Sequence, residues 1–276
     1  MNIYFHRCQY SRYGIHLQII FFFARLACMP VHTDITAAPK AVNPNIEALF
    51  QAGAYLGYSK SRQHPKMKEF VFGVRNNIQI FDLERTEEKM KEAELFLHKL
   101  GMEGKTVLFV GTKPSAKEYI AEAAKSILMP YVTERWLGGT LTNLKIIEAR
   151  LKYLETLEYE AEHGELDRYV KKEKMQKLVE LRKLLRMFSG IRGLKSLPAA
   201  IFIVDPREEK TAVSEARRKK IPIISILNSD CDPRGIAYPI PANDNASSVI
   251  KLILERLAVA YKNGTKEKLV PIPSEN

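Results

Sequence analysis

A doubly wound α/β sheet interrupted by an antiparallel helical hairpin is the fold that this 276-residue sequence predicts, and three observations carry it. Apolar runs of strand length, TVLFV (106–110), AAIFIV (199–204) and IISIL (223–227), read as strands buried on both faces, as in a parallel sheet. Segments of helical pattern alternate with these runs and are joined to them by short turns. Between the third and fourth strands, residues 144–194 carry no strand signal and instead place leucines at the spacings of a coiled-coil seam.

The first 43 residues read as an N-terminal extension. Within it, Arg7 and Arg12 precede the apolar run 15–23, the outline of a secretory signal. That run is too short to span a bilayer, and Arg25 interrupts the region of a cleavage site. From Met29 the sequence MPVHTDITAAPKAVNPN reads as an ordinary polar tail. Met29 is therefore the expected start in place of Met1, and an exported or membrane-attached protein is the rival reading.

The α/β domain is expected over 44–143 and 195–262. It opens with a short helix around 46–51 and a loop, 53–75, rich in Gly, Lys and aromatic residues. A short strand at 78–81 ends in Asp82, and Thr86 is the expected cap of a helix running to Leu100, with Glu87 and Glu88 in its first turn. After TVLFV, Pro114 is placed to open the next helix, where a missing N–H costs nothing. A third strand at 131–133 leads into RWLGGTLTN (135–143), whose Thr142 or Asn143 is suited to capping the first helix of the hairpin.

The coiled-coil hairpin insertion is expected over 144–194. Ile147, Leu151 and Leu154 mark its first helix and Leu178, Leu181, Leu185 and Phe188 its second, with His163-Gly164 breaking the two apart. Beyond it come the strands 199–204 and 223–227, a possible edge at 238–240, a final amphipathic helix over 244–261 and a C-terminal tail over 263–276.

Charge points to polyanions: 43 Lys plus Arg against 32 Asp plus Glu give +11. Cys8, Cys28 and Cys231 lack C-x-x-C spacing, which argues against a disulfide framework or structural zinc and suits a reducing cytoplasm. The marks of an enzyme are absent from the pattern, with no G-x-G-x-x-G after a strand and no P-loop. His64, His98 and His163 fall separately in a loop, a helix and a turn. The alternative is an α/β enzyme acting on a small phosphorylated ligand where Gly111-Thr112-Lys113, Asp205 and Asn228-Ser229-Asp230 gather at the carboxyl edge of the sheet. Asp230 and Asp232 could hold a hard cation such as magnesium, but a turn through Asp232-Pro233-Arg234-Gly235 accounts for them more simply. No metal or other cofactor is assigned.

The loop 53–75 is different in kind. Lys60, Arg62, Lys66, Lys68 and Arg75 are interleaved with Tyr55, Tyr58, Phe70 and Phe72. Cations neutralise phosphates and aromatic faces stack on unpaired bases. The two phenylalanines, on alternate positions, are expected to be buried anchors, which leaves the cations as the RNA contacts. In RWLGGTLTN, Trp136 with Gly138 and Gly139 reads as a structural anchor at a tight corner between sheet and hairpin. Arg135, Lys145 and Lys113 complete the set of cations expected to touch RNA.

In order along residues 46–261, the segments AGAYLGY, HPKMKEFVFGVRNNIQIFDLERT, LFVGTKPSA, RWLGGTLTN, LPAAIFIVDP and IPIISILNSDCDPRGIAYPIPANDNA resemble the small-subunit ribosomal protein S2 family, bacterial type. The resemblance implies a flavodoxin-like (Rossmann-like) sheet with a protruding helical hairpin. It also implies a non-enzymatic, rRNA-bound protein of the small subunit in the cytoplasm, touching neighbouring ribosomal proteins, among them the large RNA-binding protein S1, and no membrane. Tyr55 and Tyr58 stand where the family usually has histidines, Gln63-His64 where it often has an aromatic followed by Asn, and Asn228-Ser229-Asp230 where Asp-Thr-Asn is more usual. Metal or hydrogen-bond roles of those family residues do not carry over.

Overall fold

The computed structural model describes residues 43–194 and 196–269. The expected start at Met29, the extension before residue 43 and the last seven residues lie outside the described residues.

Five parallel strands form the main sheet: β4 (Val107–Val110), β5 (Tyr131–Val132), β6 (Ala200–Val204), β7 (Ile223–Leu227) and β8 (Tyr238–Pro241). Their order across the sheet is β5-β4-β6-β7-β8. Counted within the sheet this is 2-1-3-4-5, the doubly wound flavodoxin-like arrangement, with its switch point between β4 and β6. The register pairs Phe109 with Phe202 and Val204 with Ile226. Every residue of β4, β6 and β7 is buried, as strands covered on both faces require.

Alternate residues feed two cores. Val107, Phe109, Phe202, Val204, Ile224 and Ile226 pack with the helices α1 (Pro44–Ala52), α2 (Leu83–Glu103), α3 (Lys117–Ser126) and α7 (Ser247–Leu269). Leu108, Val110, Ile201, Ile203 and Ile223 pack with α4 (Leu144–Glu162), α5 (Lys171–Phe188) and α6 (Lys210–Arg218) on the other face. The first layer is tied by Arg256, whose guanidinium donates to Glu87 and to Glu94 at 2.7 Å each. There α2 and α7 approach so closely that a Cβ on Gly264 would lie 2.1 Å from the His98 carbonyl oxygen.

Between β5 and β6, α4 and α5 run antiparallel and meet through Ile147, Leu151, Leu154 and Leu157 on one side and Leu181, Leu184 and Phe188 on the other. Lys177 donates to Glu160 (2.9 Å) and Tyr153 to Glu180 (3.3 Å) across them. α4 ends at Glu162, with Gly164 in the left-handed region (φ 72°).

Several elements differ from the expectations drawn from sequence. The stretch 53–75 is no simple loop: β1 (Leu56–Ser59) and β2 (Val71–Arg75) flank β3 (Ile78–Phe81) in a separate antiparallel sheet of order β1-β3-β2. α2 starts at Leu83 with Asp82 as its cap, the carboxylate accepting from Glu84 N–H (3.0 Å), while the Thr86 hydroxyl lies inside the helix and donates to the Pro241 carbonyl (2.7 Å). Pro114 belongs to a turn, and α3 begins at Lys117. Asn143 precedes α4 without a side-chain capping bond. α7 runs from Ser247 to Leu269, past Tyr261.

Candidate nucleic-acid interface

The small antiparallel sheet is built by a two-residue turn: Asn76 and Asn77 both adopt positive φ (49° and 63°), the conformation of a hairpin turn whose twist matches its strands. Lys60 N–H donates to the Asn77 carbonyl (2.9 Å), bringing the end of β1 to the same turn. Short 3-10 helices then carry Lys60 and Arg62, and Lys66 and Lys68, and Arg75 closes β2. All five side chains are exposed. The Arg62 guanidinium stands 5.5 Å from the centre of the Tyr58 ring. From Tyr55 to Asn77 these five cations face a single acid, Glu69.

This unit is clasped to the carboxyl ends of the parallel strands. The Ser229 hydroxyl accepts from Tyr58 N–H (3.0 Å) and its carbonyl from His64 N–H (2.8 Å). Tyr58 Oη meets Asn245, whose amide donates to it at 2.9 Å. Gly57 allows the approach, since a Cβ there would lie 3.2 Å from Ser229 Oγ and 3.3 Å from Gln79 Cβ. Beneath Ser229, the Asn228 amide donates to Asp244 (2.5 Å).

Lys113 stands apart from the other cations. Its ammonium lies 2.5 Å from both Asp205 and Asp244, and only 14% of its side chain is exposed. Burial pushes its pKa down, and the two carboxylates more than offset this, holding it above its ordinary value. Asp205 is pushed up by burial and drawn below its ordinary value by that ammonium, whereas for the wholly buried Asp244 the upward push of burial wins. Lys113, expected among the RNA contacts, has its charge paired inside the fold, at the switch point.

The remaining strand-end groups are likewise engaged. Asp230 pairs with Arg207, and Asp232 with Arg234 at 2.8 Å, which lowers the Asp232 carboxyl to about 2. Burial, foremost, pushes the Cys231 thiol up, out of reach of thiolate chemistry. Among the described residues no group of three or more His, Cys, Asp or Glu is placed to hold a metal ion.

RWLGGTLTN wraps one buried carboxylate. Glu215, on α6, accepts from Trp136 Nε1 (3.1 Å) and Gly139 N–H (2.8 Å) at one oxygen, and from Leu141 N–H (3.0 Å), Thr142 N–H (3.1 Å) and the Thr142 hydroxyl (3.1 Å) at the other. Burial pushes this carboxyl up, but the combined hydrogen bonds hold it below its ordinary value. Gly139 turns the loop in the left-handed region (φ 96°), and Trp136 is 7% exposed. Gly138 is exposed, with open space where a Cβ would stand. Arg135 and Lys145 point to solvent on either side of the loop.

Sequence reasoning missed Glu215, whose only signal is one acid in a helix of cations. It also missed Ser229 as a clasp, and it misplaced Phe72, which is 73% exposed where Phe70 is 6% exposed. The register between β2 and β3 shifts between Val71 and Gly73, so the bulge turns Phe72 outward.

The family described as ribosomal protein S2 matches residues 49–264. The small ribosomal subunit protein uS2 of Dictyoglomus turgidum is 44% identical over 219 residues, 79% of this chain and 89% of the relative. The protein of the same name from Dictyoglomus thermophilum matches with the same identity and the same coverage.

Proposed function

The chain belongs to the ribosomal protein S2 family, and from that premise we propose that it holds small-subunit rRNA by phosphate neutralisation and shape, with no reaction of its own. As a member of that family it is a structural constituent of the small ribosomal subunit. The observation that supports the RNA reading is the array of five exposed cations against one acid, carried on the 3-10 turns and one strand of a small sheet unit that the strand ends hold in place. Arg135 and Lys145 extend the same exposed charge beside RWLGGTLTN. Lys113 is left out of the contact set. In the cytoplasm the protein sits within the ribosome and touches neighbouring small-subunit proteins, the large RNA-binding protein S1 among them, with residues 144–194 forming a coiled-coil insertion of the α/β domain. No described helix is long and apolar enough to cross a membrane.

The test is binding of the full chain to small-subunit rRNA across a salt series. Each phosphate neutralised adds about 0.9, or about 0.7 on single strands, to the slope of log K against log salt. Charge removal at Lys66 and Lys68 is expected to lower that slope by about one unit or more. Absent binding, or binding indifferent to salt, overturns the reading.

A further inference from the structure

α6 ends in a run of four cations, Arg217, Arg218, Lys219 and Lys220, all exposed. The helix dipole favours cations in its last turn, which accounts for Arg217 and Arg218. Lys220 lies past the end. Its N–H donates to the Arg217 carbonyl (3.0 Å) and the Ile221 N–H to the Ala216 carbonyl (2.9 Å), the Schellman closure whose left-handed residue is usually glycine. Lys220 holds that position at φ 58°, whereas α1 and α2 give it to Gly53 and Gly104. α3 ends on Leu128 (φ 56°), so the conformation assigns no function by itself. At α6 it coincides with the charge run. Glu215, the one acid of α6, is turned inward, and Asp232 of the adjoining turn is taken by Arg234. Among the described residues no carboxylate pairs with any of the four cations. The Arg217 guanidinium donates to the Arg234 carbonyl, and a Cβ on Gly235 would lie 2.8 Å from Arg217 Nε, so this side chain is fixed against the turn.

Arg217 to Lys220 lead into β7 at Ile223, and Arg234 leads into β8 at Tyr238; β7 and β8 run parallel, so these cations gather at the amino edge of the sheet. The small sheet is clasped at the other edge through Ser229, beyond the last residue of β7. The five residues of β7 separate the two groups by about 13 Å or more at the rise of a parallel strand. That exceeds the screening length of about 8 Å at physiological salt, so the two arrays act on a polyanion independently.

We propose that Arg217, Arg218, Lys219 and Lys220 form a second phosphate-contact surface for small-subunit rRNA, at the amino edge and separate from the five cations of the small sheet. The inference rests on the RNA reading of the protein's function. Charge decides between occupants: phosphates along a strand match successive unpaired cations, whereas protein interfaces are depleted of lysine. Lys220 keeps its charge at a position where glycine would relieve the backbone, the exchange of stability for binding expected of a contact residue.

The test measures affinity of the full chain for small-subunit rRNA across a salt series, with thermal unfolding alongside. The chains compared are wild type, Lys220→Gly, the pair Arg218→Ala with Lys220→Gly, and the pair Lys91→Ala with Lys99→Ala. The last pair removes two exposed cations of α2, in the layer on the opposite face of the sheet, and controls for net charge. Lys220→Gly is expected to unfold at or above the wild-type temperature, while the slope of log K against log salt falls by about 0.7–0.9. The Arg218 and Lys220 pair should lower the slope by about 1.4–1.8, the loss should add to that from charge removal at Lys66 and Lys68, and the control pair should leave it unchanged. An undiminished slope in the Arg218 and Lys220 pair, with wild type bound, overturns the second surface alone and assigns the cluster to a neighbour other than RNA. An equal fall in the control pair overturns it as well, since net charge would then suffice. Lys220→Gly that unfolds earlier than wild type and keeps its slope gives the lysine to the helix end, with the same result. Failure of wild type itself to bind rRNA overturns the RNA reading and this inference together.

Discussion

Replacing Lys113 by alanine removes the one cation that serves two buried carboxylates. Its ammonium contacts Asp205 and Asp244 at 2.5 Å each, and those side chains are 7% and 0% exposed. With the ammonium gone, both acids face one another across the vacated position. Removing one member of a buried ion pair costs about 3–5 kcal/mol, chiefly the penalty of leaving charge unpaired, and the upper part of that range is expected because two charges are stranded. Urea unfolding at pH 7 measures it. The pH dependence supplies the second signature. Deprived of Lys113, the two carboxylates are expected to bind a proton above the ordinary range near 4. The folded state then takes up more protons than the unfolded chain, so stability rises as pH falls through that window. The deficit against wild type should therefore shrink between pH 7 and pH 5. Since the ammonium is committed inside the fold, the salt slope of rRNA binding should be unchanged. A loss below about 1 kcal/mol, or one that does not shrink with acid, would refute the view that this lysine is an internal counter-ion.

Two further perturbations address the loop around Glu215 and the helix contact behind the sheet. Glu215→Gln places an amide donor against N–H groups that now meet an oxygen, at a cost of about 2–4 kcal/mol in thermal unfolding. Glu215 is held below its ordinary pKa, so its contribution is present above that ordinary value and is lost as pH falls through the folded one; stability curves of wild type and variant should converge in acid. Gly264→Ala sets a Cβ 2.1 Å from a backbone oxygen of α2 and should cost about 3 kcal/mol or more, while Gly73→Ala, where space is open, should stay within about 1 kcal/mol in the same thermal unfolding series.

The parallel strands were legible because burial on both faces leaves an unbroken apolar run, and the two long helices because a seam at spacings of three and four has no other ready cause. The small antiparallel sheet was hidden for a physical reason. Its strands LGYS and VFGVR contain Gly57 and Gly73, and both pairings with β3 carry register shifts, so the period of two is broken twice within four or five residues. The same bulge misled the placement of Phe72: alternation puts it on one face with Phe70, but Phe70 ends a 3-10 turn and the chain resets before Gly73. Glu215 was illegible because its partners stand more than seventy positions upstream, at Trp136 to Thr142, and meet it only once the sheet has folded.

The switch point of a flavodoxin-like sheet is where such folds usually admit a ligand, and here the chain fills it with its own groups. The ammonium of Lys113 neutralises the acids, Asn228 caps Asp244, and the next residue, Ser229, reaches out through hydroxyl and carbonyl to hold Tyr58 and His64. The ligand crevice has thus become the seat of the small sheet. This single network has two effects. Charge at the strand ends is taken up in internal ion pairs, and exposed positive charge is carried by the small sheet and its turns, which the crevice anchors. Loosening the anchor and removing the cations should accordingly weaken rRNA binding in different ways. Ser229→Ala, which deprives Tyr58 N–H of its acceptor, should reduce affinity without altering the salt slope, whereas loss of Lys66 and Lys68 should reduce both. Equal slopes lost in both variants would mean that the clasp and the charges are one contact surface and not a support and its load.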